Sequence, residues 1–459
     1  MKEVMRDKKF LFLFALLTLL TFNFKVLVIL RDVLILTAPE SKATVLPFIK
    51  IWLVLPVSYL LVRLYERLSL RFRRDQIFMI FTGSFLSYLL LFSYVLLPMR
   101  DQLIPHGLIV SMKAWLPESL HVVTVLLAYW PFSCFFLVSE MWNIFLLTFL
   151  FWGFVSESVT KQEGKKYFGV FSLDIGGLLA GCASLFLNRQ ISEKSDAGFS
   201  GYVDHCVWVL VLTGILQCMM FYFSYRLYGN PIPIAAIKKK KTSDFSLLKQ
   251  NPMLPYLFFL SFSFEFCDQF LEVVWKSRVL SIYPDSISYS QFMSKFFIVT
   301  GCVGIMLTIF FSRLSLRRRS WYFNASITPF LVLFSSVFLF FLIATTQFSP
   351  TSYYLELSIF SLATLQASAL KMSKYTFFDN TKEMAFLELD STIKTRARAI
   401  CDSYSSRLGK TTSSILWQSS LLVAESIAVL GVGALVLCCS LLWIGAVRRL
   451  REKVHYELG

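Results

Sequence analysis

Apolar runs of about 20 residues recur along this chain from end to end, and each is long enough to cross the hydrocarbon core of a bilayer. In lipid a segment must satisfy its own backbone N–H and C=O groups, which these runs do as helices, so an all-α bundle follows without any appeal to propensity. Composition agrees. Of 459 residues 56% are hydrophobic and 47 are Phe, while 16% are charged, against about a quarter in ordinary globular domains. A soluble enzyme is thereby excluded, and the chain reads as an all-α polytopic membrane protein.

Hydropathy places twelve transmembrane helices at about 10–37, 46–68, 76–98, 128–155, 168–188, 205–227, 254–280, 290–313, 321–346, 352–373, 408–424 and 427–447. Lys2, Arg6, Lys8 and Lys9 precede the first run in the manner of a signal peptide, but the run is too long for an h-region and lacks a small-residue cleavage pattern, so it stays as a span. Basic residues test the count, because they collect on the cytoplasmic side. The N-terminus, Arg67 to Arg74, Lys161 to Lys166, the middle loop, Arg313 to Arg319 and the tail Arg448 to Lys453 are basic, and alternate connections hold few bases. Both termini are therefore expected in the cytoplasm. The net charge of +16 is then a matter of topology and calls for no nucleic-acid partner.

The longest central polar break, with Pro231, Pro233 and the run Lys238 to Lys241, divides the chain into 1–228, a cytoplasmic linker at 229–253, and 254–459. Six spans fall on each side. This is the 6+6 organisation of the major facilitator architecture, two six-helix halves around a central pathway. The lysine run reads as a solvated anchor facing lipid headgroups.

Ionisable residues are expensive inside a membrane and face a bundle interior or wet cavity. Here they are numerous: Lys25, Arg31, Asp32, Lys50, Glu140, Asp174, Glu265, Asp268, Glu272, Lys276, Lys295, Glu356, Lys371 and Glu425, which closes the eleventh span. Glu265, Asp268 and Glu272 recur at i, i+3 and i+7, with Lys276 four further on, so one stripe of the seventh helix is polar while Phe264, Phe266, Phe270 and Leu271 point elsewhere. Those carboxylates could serve as packing ion pairs with neighbouring lysines. A cavity with several fixed cations also suits a polyanionic solute such as a phosphorylated metabolite.

Catalytic and metal readings are poor. Cys134, Cys182, Cys206, Cys218, Cys267, Cys302, Cys438 and Cys439 lie in or beside apolar runs without zinc spacing, and His106, His121, His205 and His455 are scattered. Arg407-Leu408-Gly409-Lys410-Thr411 ends like a phosphate loop but lacks its first glycine, so neither an enzyme nor a cofactor is expected.

Several segments resemble the nucleotide transporter family, the ATP/ADP translocases of plastids and obligate intracellular bacteria. They are Arg31-Asp32-Val33-Leu34 with Leu46-Pro47-Phe48-Ile49-Lys50-Ile51-Trp52; Ser139-Glu140-Met141-Trp142 with Phe151-Trp152-Gly153-Phe154; Leu271-Glu272-Val273-Val274-Trp275-Lys276; and Lys374-Tyr375-Thr376-Phe377-Phe378-Asp379, Thr381 to Phe386, and Ser406-Arg407-Leu408-Gly409-Lys410. The family usually has Lys-Asp where this chain has Arg31-Asp32, a fork in place of a point charge. The resemblance implies a nucleotide substrate, ATP/ADP exchange by alternating access, and essential charges at Arg31, Glu140, Glu272 and a C-terminal-half lysine, Lys374 or Lys410. Lys50, Asp268 and Lys276 join these as candidate substrate-binding residues from the charge pattern. The alternatives are proton-coupled import of other nucleotides or NAD, with Glu272 as proton carrier, and a membrane enzyme or receptor scaffold that binds a phosphorylated lipid headgroup.

Overall fold

The computed structural model describes residues 7–117, 120–160, 163, 167, 170, 171, 173–194, 198–229, 248, 251–318, 320–346, 353–389, 397, 398, 400–421 and 425–453. The bases Lys161, Lys165 and Lys166, the linker run Lys238 to Lys241, His455 and the side chains of Arg313 to Arg319 lie outside the described residues.

The chain folds as two compact units. The first comprises 1–45, 52–239 and 283–305, and the second 46–51, 240–282 and 306–459. Helix α1, Lys8–Leu36, is the spine of the first unit, with the Asp7 carboxylate accepting the Lys9 N–H at its start. Leu16, Leu20, Leu27, Ile29, Leu30 and Val33 are fully buried along it. Helix α2 runs as Val45–Ile49, a π-helical turn Lys50–Val54, and Leu55–Leu68 with Pro56 at its start. Helix α3, Arg74–Leu91, ends in a π turn, Phe92–Leu96. Two short helices missed by hydropathy follow, α4 (His106–Trp115) and α5 (Val122–Ala128). Helix α6 continues as Trp130–Met141, a ten-residue π-helical stretch Trp142–Phe151, and Trp152–Ser158.

Helices α7, Ile175–Lys194, and α8, Gly198–Tyr228, complete the first unit against α1. Gly176 permits that crossing, because a Cβ there would lie 2.0 Å from the Thr21 hydroxyl and 2.7 Å from the Phe22 nitrogen of α1. Asp174, expected within the fifth span, stands just before α7, and its carboxylate accepts the Gly177 N–H at 2.9 Å. A buried polar contact ties α1 to α8: Asn23 donates to Gln217 at 3.0 Å and accepts from Thr213 at 2.5 Å.

The second unit is built on α9, Leu254–Ile282, and contains the later part of α10, Ser286–Arg318. Around them come α11 (Trp321–Thr345), α12 (Tyr353–Ser373) with a π turn Lys374–Phe378, α13 (Asp379–Leu387), a π turn Ile400–Ser405, α14 (Ser406–Leu421) and α15 (Glu425–Arg451). Glu425 opens the last helix instead of closing the one before it, and its side chain lies outside the described residues.

Among the described residues eight helices are long and apolar enough to cross a membrane: Lys8–Leu36, Val45–Leu68, Arg74–Leu96, Trp130–Val155, Gly198–Tyr228, Ser286–Phe310, Trp321–Thr345 and Val429–Arg451. The other four expected spans are occupied by α7, α9, α12 and α14. Helix α14 has 16 residues, and α9 carries the carboxylate stripe.

Candidate functional site

In the first unit the charges meet where α1 crosses α6. Phe136, Ser139 and Glu140 occupy i, i+3 and i+4 of α6 and so share one face. The Arg31 guanidinium lies on that face, with Nη1 2.7 Å from the Glu140 carboxylate and 3.5 Å from the Ser139 hydroxyl, and its centre 4.6 Å above the Phe136 ring. Its Nε is 3.6 Å from Asp32, whose side chain is wholly buried. A planar fork can meet a carboxylate, a hydroxyl and a ring face together, which a lysine ammonium cannot. Six residues earlier on α1, Lys25 pairs with Asp174 at 3.6 Å and lies over the Phe297 ring.

In the second unit the stripe of α9 holds two triads. The Glu272 carboxylate accepts from Lys50 on one oxygen and from Lys276 on the other, both at 2.7 Å, and Lys50 also donates to the Gln269 amide oxygen at 2.8 Å. Two turns earlier Glu265 takes Lys374 at 3.2 Å and Lys410 at 3.3 Å. The two lysines left as alternatives by the sequence therefore converge on one carboxylate. Gly409 explains how: its missing Cβ would lie 2.6 Å from the Phe262 carbonyl oxygen and 3.1 Å from the Phe266 nitrogen, so α14 meets α9 backbone to backbone at the residue before Lys410. Lys374 also lies 4.9 Å over Phe264, which is packed under the site instead of pointing away from it. Asp268, between the triads, has no hydrogen bond or ion pair with any described residue.

Sequence reasoning missed two features. Gln269 is 2% exposed and its Nε2 finds no acceptor among the described residues, a buried amide donor beside Lys50 that nothing in its neighbourhood on the chain singles out. Lys50 and Lys374 each open a π-helical turn, and the π stretch of α6 starts two residues after Glu140. Such turns interrupt the α-helical hydrogen-bond ladder and re-aim side chains at functional positions; no residue pattern announces them. All nine cysteines are free, and among the described residues no group of three His, Cys, Asp or Glu could hold a metal ion.

A profile of the TLC ATP/ADP transporter family matches residues 3–454. The chain belongs to that family. The transporter is 30% identical to the ADP,ATP carrier protein 1 of Chlamydia trachomatis over 92% of its own length and 84% of the relative's. It is 28% identical to the chloroplastic ADP,ATP carrier protein 1 of Arabidopsis thaliana over 99% and 75%, and 25% identical to the ADP,ATP carrier protein 5 of Rickettsia typhi over 98% and 94%. Among solved structures it is similar to a bacterial homologue of the iron transporter ferroportin, with TM-score 0.58 and 13% identity over 97% of this chain and 98% of that one. A D-xylose–proton symporter aligns with TM-score 0.54 and 15% identity over 95% and 96%. The transporter thus has a major-facilitator-like, all-helical fold and is a multi-pass membrane protein.

Proposed function

We propose that this transporter exchanges ATP against ADP across a bacterial inner membrane by alternating access, with both termini in the cytoplasm and the six-helix halves 1–228 and 254–459 joined at 229–253. The observation that carries the reading is the pair of triads on α9, where each glutamate is held by two lysines. Fixed cations neutralised by a movable carboxylate can take phosphate oxygens in its place. An exchange is favoured over one-way transport because an empty carrier keeps its lysines tied to glutamates, whereas a loaded one brings its own anions through the dehydrated intermediate. In this reading Lys50, Lys276, Lys374 and Lys410 of the second unit offer positive charge to the nucleotide, which displaces Glu265 and Glu272 and accepts from the Gln269 amide; in the first unit Arg31 offers its charge in the same way, with Glu140 as the carboxylate displaced. The names of the relatives support the substrate.

Vesicles reconstituted with the purified protein test it. Labelled ATP is expected to enter vesicles preloaded with ADP, to stay out of empty ones, and to ignore a protonophore. Uptake into empty vesicles that collapses with the protonophore would replace exchange by proton-coupled import. Absence of any nucleotide flux would remove the nucleotide reading altogether.

A further inference from the structure

Three carboxylates share one face of α9, but only two are neutralised at contact distance. Glu265 and Glu272 each receive two ammonium groups. Asp268 lies between them at i+3 from the first and i−4 from the second, positions about 5–6 Å apart on a helix surface, and has no cation within ion-pair distance among the described residues. We propose that Asp268 is a proton-binding residue, taking up a proton as a nucleotide binds and releasing it as the nucleotide leaves. This rests on the nucleotide reading above and assigns the proton to Asp268 in place of Glu272, whose two oxygens are already occupied by lysines.

The charged and titratable groups around Asp268 support this assignment. On its own helix they are Glu265, Glu272 and Lys276, with Cys267 on the side of Ser440 in α15. Helix α12 and the π turn after it supply Lys371 and Lys374, which act on Asp268 from a distance. Lys371 lies over the Trp275 ring and Lys374 is bound to Glu265. Helix α14 contributes Lys410, also on Glu265, and the 46–51 segment contributes Lys50, on Glu272, while the π turn 400–405 meets α9 ten residues earlier, where the Ser405 hydroxyl donates to the Phe258 carbonyl. The nearby lysines are thus committed to other groups. When phosphates draw those lysines away, Glu265 and Glu272 lose neutralisation and a polyanion enters beside a third carboxylate. Like charges at such distances in a poorly solvated site disfavour a further ionised group. The step is a simple protonation: one Asp268 O–H bond forms as an acid in the medium, the buffer in the assay, gives up a proton relayed through cavity water and becomes its conjugate base, and no bond of the nucleotide changes. Because the proton accompanies whichever nucleotide is bound, exchange remains indifferent to a protonophore.

Calorimetric titration of the detergent-solubilised full-length transporter with ADP, at one pH in two buffers of different ionisation enthalpy, counts protons taken up on binding. The wild type is expected to show uptake approaching one proton per ADP, with affinity falling by up to tenfold per pH unit as pH rises. Asp268→Asn imitates the protonated group and should bind ADP without that uptake, more tightly than wild type at high pH. Ionisation of ADP itself is common to both proteins and cancels in their difference. Asp268→Glu should restore uptake. Equal uptake in wild type and Asp268→Asn would overturn the proposal, as would zero uptake by the wild type, which is decisive even if the Asn variant fails to fold. If the wild type binds no ADP at all, the nucleotide reading fails instead.

Discussion

In the first unit one guanidinium sits between two carboxylates, Glu140 at 2.7 Å and Asp32 at 3.6 Å; in the second, each of two glutamates sits between two ammonium groups. The ratio of charges is inverted. Arg31 is buried, stacked and enclosed by anions, an arrangement suited to holding α1 and α6 in register as well as to presenting a cation. Lys50, Lys276, Lys374 and Lys410 outnumber the carboxylates that hold them, so displacing a carboxylate leaves a site that attracts an anion. Lys374 and Lys410 keep 30% and 52% of their side-chain surface exposed, against 6% for Arg31 and 3% for Lys276, so the accessible cations of this set belong to the Glu265 triad.

The largest effect that would break this contrast is expected at Glu272. Glu272→Gln leaves Lys50 and the nearly buried Lys276 beside a neutral amide; an uncompensated charge in a buried pair costs about 3–5 kcal/mol, and with Glu272 and Lys50 23% and 17% exposed the low end of that range is expected. Thermal unfolding in detergent should show that loss. Adding Lys276→Met to the same variant should recover much of it, because one of the two orphaned charges goes too. A small loss for the single variant would mean that water, not Glu272, neutralises the lysines.

Arg31→Lys sharpens the other side of the comparison. The charge survives, but an ammonium cannot reach Glu140 while lying across the Phe136 ring and near Ser139. The expected cost is about 1–2 kcal/mol, the size of one cation–π contact with one charge-assisted hydrogen bond. Exchange rates and melting temperature should fall modestly and together. A fall in exchange alone would show that Arg31 meets substrate more than it meets α6.

How much of this was legible follows from what each feature depends on. Span positions were readable because a membrane segment must be apolar over about 20 residues: α1, α3 with its π turn, and α11 start and stop close to where the apolar runs do, whereas α8 begins seven residues before its run. The i, i+3, i+7 carboxylate stripe was readable because helical period is local. Pairing was not. Whether Glu265 takes Lys374, Lys410 or both depends on Gly409 bringing α14 onto α9, and nothing in the spacing between positions 265 and 410 encodes that approach. The same holds for Lys382, which bridges Asp402 at 2.7 Å and Asp379 at 3.6 Å beyond α12, and for the contact between Arg398 and Glu383. Burial works against the charge of Lys382, but Asp402 and Asp379 outweigh it and hold its ammonium above the usual lysine range. Asp174 was misplaced because hydropathy averages over a window and does not see that a carboxylate has become the cap of the helix after it.

The smallest expected effect belongs to a part-buried pair at the start of α1, and it sets a single ion pair against the triads of α9. Lys9 bonds Glu163 at 3.0 Å, with side chains 16% and 31% exposed, and Glu163 also accepts from the Thr160 N–H and hydroxyl. Burial opposes the charge of Glu163, but those hydrogen bonds and the Lys9 ammonium outweigh it, holding the carboxyl below the usual glutamate range. A carboxylate held lower in the folded state than in the unfolded chain stabilises the fold fully above the unfolded value, about 4.3, and that contribution disappears as pH falls through the lowered folded value. Glu163→Gln should therefore cost at most about 1 kcal/mol at neutral pH, as a solvent-screened pair does. Its unfolding midpoint should converge with that of wild type as the medium is acidified, and part of the difference should vanish in high salt. Glu272→Gln should keep more of its penalty in high salt, because Lys276, at 3% exposure, is shielded from screening ions, while Lys50 and Glu272 at 17% and 23% are partly accessible. If both variants responded alike to salt, Glu272 and its lysines would be as wet as Glu163, and the inversion of charge between the units would carry no energetic weight.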